Sequence, residues 1–273
     1  MTVHATVATP RAVPASAAGT DRLWEVDVAR TFAIVMMATY HVGWDISYLA
    51  PSVPLDPFTG GWRALQVATG SSFLAIVGVS LAISDGRSRA RGRTFLGAYA
   101  RHARRALEVL VAGLLVTVAT LIALGPDDAV RFGILQCIGV MMLLAPLALP
   151  LGPLAALAGA GMIALGLVID GATVGTSWLM WLGLEPESGS LGVDYYPILP
   201  WGGAVLIGLA LGKLLYPDGR RGPLTAWLAP PPRGAGRTGF LGRHALPVYL
   251  VHQLILFPLV ALVLVVLGIS VSF

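Results

Sequence analysis

The sequence predicts an all-α protein, a polytopic membrane bundle of about seven transmembrane helices. Hydrophobic residues make up 56% of its 273 residues, charged residues only 12%, and the mean hydropathy is +0.78. A soluble domain carries roughly 25% charged residues, which it needs to cover its surface. This composition excludes soluble, secreted, nucleic-acid-binding and disordered classes, and predicts a multi-pass protein of the cell (inner) membrane with the lipid bilayer as its partner.

Seven stretches are long and apolar enough to span a membrane, which takes about 20 residues. These predicted spans cover about 28–48, 62–84, 106–125, 131–149, 153–170, 197–216 and 245–268. Residues 1–21, rich in Ala, Thr and Pro, are predicted to be a disordered cytoplasmic tail, and 22–273 a single transmembrane domain. Residues 217–243 are predicted as an irregular loop and 173–184 as a Trp-rich interfacial or re-entrant piece.

Lys and Arg residues are distributed unevenly between the two sides of these spans. Seven lie between spans two and three and six between spans six and seven, whereas only Arg63 and Arg131 fall on the other side. Because positive charge stays cytoplasmic, the N-terminus is predicted inside. Topology thus explains the arginines of 87–105, although part of this run could also meet an anionic ligand such as a nucleotide phosphate.

The first span carries four ionisable residues on one helical face. At 100° per residue, Asp27, Arg30, His41 and Asp45 fall within about 60° of one another. A charge at membrane depth costs at least about 2.5–3.5 kcal/mol, so this face is expected to point into the bundle or into a wet cavity. Eleven residues place His41 roughly 16 Å from Arg30 along the helix axis.

One helical turn separates His41 from Asp45. A carboxylate beside an imidazole can fix its tautomer and raise its basicity. The pair is therefore predicted to be catalytic, with His41 as general base or transient acyl carrier oriented by Asp45. The alternative for His41 is a hydrogen-bonded core histidine. Asp27 and Arg30 could equally form an ion pair that marks the cytoplasmic boundary.

Polar and aromatic residues near the outer side are candidates for binding an acceptor. Asp194, Tyr195 and Trp201 combine a carboxylate with aromatic faces, which suits a sugar-like molecule. An interfacial aromatic belt explains Tyr195 and Trp201 equally well.

Two further sets of polar residues lie within the predicted spans. His252 and Gln253 follow Tyr249 at i+3 and i+4 on the last span, where they could contact an acceptor or form helix–helix hydrogen bonds. Gln136, in span four, could complete the same cavity or bind a neighbouring helix.

Five motifs follow one another along most of the chain. They are EVDVAR ending at Arg30 with HVGWD from His41 to Asp45, FLAIVGVS at 73–80, FGILQCIG at 132–139, DYYPILPWG at 194–202 and LGRHALPVYLVHQ at 241–253. Together they resemble the bacterial members of the heparan-alpha-glucosaminide N-acetyltransferase catalytic-domain family over about 22–257. The ten residues between Arg30 and His41 also resemble the Arg-x10-His signature of the acyltransferase-3 group.

The resemblance implies an integral-membrane acyltransferase. Such enzymes move an acyl group, here expected to be acetyl, from cytoplasmic acetyl-CoA or another acyl-CoA to a hydroxyl or amine of an outer-face sugar or small molecule. Arg30, Arg243 and His244 are expected to hold the CoA end, although Arg243 and His244 could simply form a cationic helix flank. No metal and no nucleic acid are expected, and a homo-oligomer is left open.

Two departures from the family pattern limit what the resemblance implies. Loop 49–61 contains no histidine, whereas the lysosomal member has one there, and Gln136 stands where relatives often have His. The heparan acceptor is therefore not carried over, and the basis for a two-histidine mechanism is weakened. Two rival functions are a proton-coupled transporter or channel, which the first span could line, and a non-catalytic scaffold.

Overall fold

A computed structural model of the protein describes residues 22–271, and the predicted tail, 1–21, lies outside the described residues. The described part is helical apart from two short parallel strands, β1 (Thr173–Val174) and β2 (Glu185–Pro186), which confirms the all-α class. Its helices are α1 (Trp24–Leu49), α2 (Gly60–Ala90), α3 (Phe95–Leu124), α4 (Ile134–Leu144), α5 (Ala155–Val168), α6 (Ile198–Leu215), α7 (Ala235–Thr238), α8 (Phe240–Arg243) and α9 (Ala245–Val266).

Short 3-10 helices cover much of the chain between these elements: Ala145–Leu154, Ser177–Leu182, Pro217–Gly219 and Ala226–Leu228. The predicted loop 217–243 therefore contains two such turns together with α7 and α8. The Trp-rich piece 173–184 contains β1 and one 3-10 helix, on which Trp178 is 84% exposed.

Length and hydropathy identify five helical stretches that could cross a membrane, rather than the seven predicted. They are Gly60–Ala90, Phe95–Leu124, Ile134–Val168, Ile198–Leu215 and Ala245–Val266. One predicted span is missing from this count because α1 carries several charged residues, which lower its hydropathy. Another is missing because the predicted spans 131–149 and 153–170 follow each other without a loop and are counted as one helical stretch, Ile134–Val168.

The helical stretch Ile134–Val168 folds back on itself. At its beginning, the Ile134 amide donates a hydrogen bond to Asp194, just before α6. Near its end, Gly166 packs against Pro200 at the start of the same helix. Both ends therefore lie beside the N-terminal end of α6, and the chain reverses near Gly152, whose φ is 56°. As a result, α4 and α5 are antiparallel limbs, as the two predicted spans would be.

Helices α1, α2 and α3 alternate in direction, whereas α1 and its neighbour α9 run parallel. Arg30 near the start of α1 binds Ser80 near the end of α2, and Gly242 just before α9 packs against Asp27 of α1. The starts of α1, α3 and α9 therefore meet the end of α2 at one end of the bundle, which we call the arginine end. Its cavity is lined by Arg22, Arg30, Arg87, Arg91, Arg93, Arg101 and Arg105.

The core lies where α2, α4, α5 and α6 pack together. Gly78 of α2 faces the backbone of Val205 and Leu209, and Gly208 of α6 faces the backbone of Ala75. A side chain at either glycine would overlap the opposite main chain, so the two helices touch at backbone distance. Such small-residue contacts are typical of helix pairs in membranes. They fix α2, one wall of the site described below.

Candidate active site

The ionisable face of α1 points into the bundle, as predicted. Asp45 is 0% exposed and Asp27 5% exposed, whereas Phe32 and Val35 on the opposite face are 64% and 50% exposed. The apolar residues thus form the outer surface. The interior position of the charged residues follows from the cost of exposing charge to lipid.

Helices α1 and α9 meet in a polar cluster. The rings of His41 and His252 lie 4.7 Å apart between centroids. The Gln253 amide nitrogen donates to Asp45 Oδ1, and His252 Nδ1 forms a hydrogen bond with the backbone carbonyl of Tyr249. We call His41, Asp45, His252 and Gln253 the histidine cluster. It combines two predicted catalytic residues with two predicted acceptor-binding residues.

The hydrogen bond predicted between Asp45 and His41 is not formed. Asp45 instead accepts from Gln253, because α9 places the amide of that residue beside the carboxylate. His41 Nδ1 has no hydrogen-bond partner in the part of the chain that the structure describes. The nearest aromatic group on another helix is the His252 ring, so the geometry brings together two imidazoles rather than an imidazole and a carboxylate.

The histidine cluster leaves several polar atoms without partners. His41 Nδ1, Asp45 Oδ2, His252 Nε2 and Gln253 Oε1 are all buried and form no hydrogen bond within residues 22–271. Buried polar atoms in folded proteins nearly always have a partner. Four unpaired atoms in one cluster therefore indicate a place built to receive another molecule or water.

A cavity of about 580 Å³, the arginine cavity, opens at the arginine end. Of the arginines that line this cavity, Arg30 is the one on α1. It binds Asp27 Oδ1 at 3.1 Å and donates to Ser80 Oγ at 2.6 Å. Asp27 is the one carboxylate among the described lining residues. With seven guanidinium groups around it, this cavity is strongly positive and suits an anion that carries several charges.

A second cavity, the apolar cavity, holds about 220 Å³ between α2, α3, α4 and α9. It shares Arg30, Ser80, Ser84 and Arg105 with the arginine cavity, so the two cavities adjoin each other. Deeper in, its walls are apolar, and they include Phe73, Val77, Val109, Ile138 and Met142. Ser84 and Phe73 of α2 both line this cavity and lie eleven positions apart, so it forms a passage that extends roughly 16 Å along the helix.

Tyr249 connects this passage with the histidine cluster. It lines the apolar cavity from α9, and its ring centroid lies 5.4 Å from that of His252. His252 in turn contacts His41. One tyrosine side chain therefore separates the cavity from the two histidines.

Arg243 and His244 lie apart from both cavities. The Arg243 guanidinium is 5.6 Å from the centre of the Phe240 ring, and His244 Nδ1 lies 3.0 Å from the Phe240 carbonyl oxygen. The structure thus fits the cationic helix flank that the sequence left as an alternative. Apart from Arg22, which precedes α1, the cavity arginines that the site prediction did not name lie on α2, on α3 or between them. Spacing could have identified some of them, since Arg101 and Arg105 are one helical turn apart and therefore share a face of α3.

Gln136 binds a neighbouring helix, one of the two alternatives that the sequence left open. Its amide nitrogen donates to the Gly113 carbonyl at 3.1 Å and to Thr117 Oγ1 at 3.0 Å, and its oxygen accepts from the Gly133 amide at 3.0 Å. The amide nitrogen therefore holds α4 against α3, and the oxygen caps the start of α4.

The candidate acceptor residues around 194–201 also have structural partners. Asp194 Oδ2 accepts from the Ile134 amide at 3.2 Å, and burial raises the pKa of Asp194 to about 6 although this hydrogen bond acts to lower it. Tyr195 donates to the Met180 carbonyl at 2.6 Å. Trp201 packs on Tyr196 with ring centroids 4.5 Å apart. In the described chain none of them hydrogen-bonds to the histidine cluster.

Between residues 22 and 271, no three or more His, Cys, Asp or Glu side chains are grouped so that they could hold a metal ion. Cys137 is buried and unpaired by any disulfide in this range.

Comparison with known families identifies the chain. Residues 22–254 match the family described as heparan-alpha-glucosaminide N-acetyltransferase, catalytic. The chain belongs to this family. The match covers α1 through most of the polar part of α9, and so includes both cavities and the histidine cluster. Family membership implies a membrane acetyltransferase and confirms the resemblance drawn from the motifs.

Further comparisons add no individual relative. No curated protein matches the chain, and no solved structure matches it.

Proposed function

We propose that this protein transfers an acyl group, in the simplest case acetyl, from acyl-CoA to a hydroxyl or amine of a sugar or small molecule. The observation that carries the proposal is the series of adjoining sites from the arginine cavity, through the apolar cavity, to Tyr249 beside His252 and His41. Along this series of sites the surrounding side chains change from arginines to apolar residues to histidines. A phosphorylated carrier with a thioester at its far end requires these groups in that order.

The arginine cavity would bind the phosphates of the donor. Guanidinium groups form paired, charge-assisted hydrogen bonds with phosphate oxygens. Arg30 and Arg105 line both cavities and would hold the phosphates nearest the arm. The positive-inside rule puts this end in the cytoplasm, where acyl-CoA is made, and leaves the acceptor to approach from the other side.

The apolar cavity would hold the arm of the donor and exclude water from its thioester. Its volume of about 220 Å³ suits an extended chain better than a second bulky head group. Tyr249 lies at the deep end, so rotation of its side chain would bring the thioester to the histidines. Excluding water protects a reactive acyl group from hydrolysis before an acceptor binds.

The two histidines would carry out the transfer. His252 Nδ1 faces a carbonyl, which can only accept, so this nitrogen carries the proton and Nε2 keeps its lone pair. In direct transfer, an imidazole nitrogen takes the acceptor proton, the acceptor oxygen or nitrogen bonds to the acyl carbon, and the carbon–sulfur bond breaks. The thiolate then takes up the proton and leaves as the thiol. In the two-step form, the lone pair of His41 attacks the acyl carbon, the carbon–sulfur bond breaks, and the thiolate takes the imidazole proton. The acceptor then bonds to the acyl carbon, the bond from this carbon to the imidazole nitrogen breaks, and the acceptor proton returns to His41.

Asp45 and Gln253 would support the histidines without touching the acyl group. The Asp45–Gln253 hydrogen bond joins α1 to α9 one turn beyond the two imidazoles, and this fixes their separation. Asp45 Oδ2 remains free of hydrogen bonds within the described range and is available to an acceptor hydroxyl or amine. We place Asp194, Tyr195 and Trp201 on the route by which the acceptor approaches.

The experiment is a transfer assay on the full chain purified in lipid nanodiscs. Radiolabelled acetyl-CoA is supplied with panels of amino sugars and hydroxylated small molecules, and acetylated products are measured. His41→Ala is expected to abolish transfer. The control, Thr39→Ala, alters an exposed hydroxyl that bonds only to its own helix, and should retain full transfer. Undiminished transfer by His41→Ala would overturn the proposal.

Two additional measurements separate mechanism and function. Label that stays on the denatured wild-type protein without acceptor, and disappears in His41→Ala, would establish the acyl-histidine step. Proton or solute flux in proteoliposomes without any acyl donor, combined with no transfer by the wild type, would instead favour a transporter.

A further inference from the structure

We propose that His102 recognises an amide group in the arm of the acyl donor. This inference rests on the proposed function and deepens it, because it assigns the donor to phosphorylated, amide-bearing thioesters. His102 lies on α3, lines the apolar cavity and is 3% exposed. The transfer chemistry described above does not use it.

The imidazole of His102 has no hydrogen-bond partner among residues 22–271, and its Nε2 atom is buried. Two polar groups that line the same cavity are engaged elsewhere, since Arg30 binds Asp27 and Ser80, and the Ser80 hydroxyl donates to the Ile76 carbonyl. A buried imidazole with no partner is unfavourable unless a bound molecule supplies one.

The position of His102 relates it to one part of the donor. Arg105 follows it by three residues on the same face of α3 and lines both cavities, whereas His102 lines only the apolar one. A donor with its phosphates among the arginines would therefore place the first part of its arm beside His102. The thioester would lie deeper, toward Tyr249.

The chemistry of an imidazole matches an amide. An imidazole with one proton offers one N–H donor and one nitrogen acceptor, and a secondary amide offers an N–H donor and a carbonyl acceptor. A phosphate would need donors and positive charge, which the arginines supply. A plain hydrocarbon arm would leave both imidazole nitrogens without partners. The site therefore favours an amide-containing carrier over an acyl phosphate or an acyl lipid.

The test compares two ligands that differ by the arm. CoA carries the phosphates and the amide arm, and 3′-phospho-ADP carries the phosphates alone. Their dissociation constants are measured by calorimetry in nanodiscs for the wild type, His102→Leu, His102→Gln and the control Glu108→Gln. Glu108 is on the same helix with its side chain 58% exposed and paired with Arg104.

His102→Leu is expected to raise the dissociation constant of CoA about tenfold, which is the effect of losing one or two neutral hydrogen bonds. The dissociation constant of 3′-phospho-ADP should stay unchanged. His102→Gln should keep most of the affinity for CoA. Equal weakening of both ligands, or none for CoA, would overturn the role of His102 while leaving the proposed function intact. Failure of the wild type to bind either ligand would instead contradict the proposed function.

A measurement on the wild type covers the case in which His102→Leu does not fold. The protein is labelled with ¹⁵N-histidine, and the imidazole resonance that disappears in His102→Gln is assigned to His102. CoA should shift this resonance and 3′-phospho-ADP should not. The same spectrum with and without CoA would overturn the inference.

Discussion

The imidazole rings of His41 on α1 and His252 on α9 lie 4.7 Å apart, although 211 residues separate them in the sequence. Their polar atoms are buried, and His41 Nδ1 and His252 Nε2 have no hydrogen-bond partner within the described chain. We propose this pair as the place of acyl transfer, because an imidazole can accept a proton or carry an acyl group.

If the two histidines act as a unit, their removal should not be additive. His41→Ala and His252→Ala are each expected to lower kcat by about 10²–10⁴, the usual contribution of a general acid–base group. The double variant should lose little more, since either change disables the same step. Initial rates with saturating acetyl-CoA measure this. Losses that multiply would mean that the two residues act independently.

Arg105 and its neighbour Arg104 offer a matched pair for testing the donor site. Arg105 lines both cavities, whereas Arg104 is 79% exposed and paired with Glu108. Arg105→Gln should raise KM for acetyl-CoA about tenfold or more by removing a charge-assisted hydrogen bond to phosphate. Arg104→Gln should leave KM unchanged. Equal effects would indicate that only the overall positive charge matters, and in that case both would diminish at high salt.

The contact between α2 and α6 predicts a difference between two glycines. Gly78→Ala places a methyl group against the backbone of Val205, so it should lower the free energy of unfolding by about 1–3 kcal/mol. Gly161→Ala on α5 meets nothing within 4 Å and should be neutral or stabilise by about 0.5–1 kcal/mol, because alanine favours helix. Thermal unfolding in detergent measures both. A stable Gly78→Ala protein would refute the close packing.

Asp194 predicts a pH dependence of stability. Burial raises its pKa to about 6 from 3.8, so between these values the folded protein holds a proton that the unfolded chain has lost. The contribution of Asp194 to stability is therefore largest below pH 4 and decreases as pH rises toward 6. Asp194→Asn retains an acceptor for the Ile134 amide but cannot ionise. Its unfolding midpoint relative to wild type should rise over that pH range. A constant difference would contradict the raised pKa.

The sequence could predict which way the side chains of α1 face, but not which residues they bind. A helix rotates 100° per residue, so the inward position of Asp27, Arg30 and Asp45 followed from spacing alone. The choice of Gln253 over His41 as the partner of Asp45 depends on how α9 packs against α1. No local pattern specifies this, because the two helices lie at opposite ends of the chain.

The donor site illustrates the same limit. Counting arginines located the basic end, but it could not separate Arg105, which lines both cavities, from Arg243, which packs on Phe240. Hydropathy likewise found the spans 131–149 and 153–170 and so implied a reversal between them, whereas the packing of the two limbs against α6 became visible only from the structure.

The backbone contact of α2 with α6 has a mechanical consequence for how a large donor reaches the passage. These two helices interlock at Gly78 and Gly208 and cannot slide or separate without breaking main-chain packing. The other long walls, α3 and α9, bury few of their side chains. We therefore expect any widening that admits a bulky molecule to come from movement of α3 and α9 relative to the interlocked α2 and α6. Covalently joining α3 to α9 should therefore shut the passage even with every arginine and histidine in place.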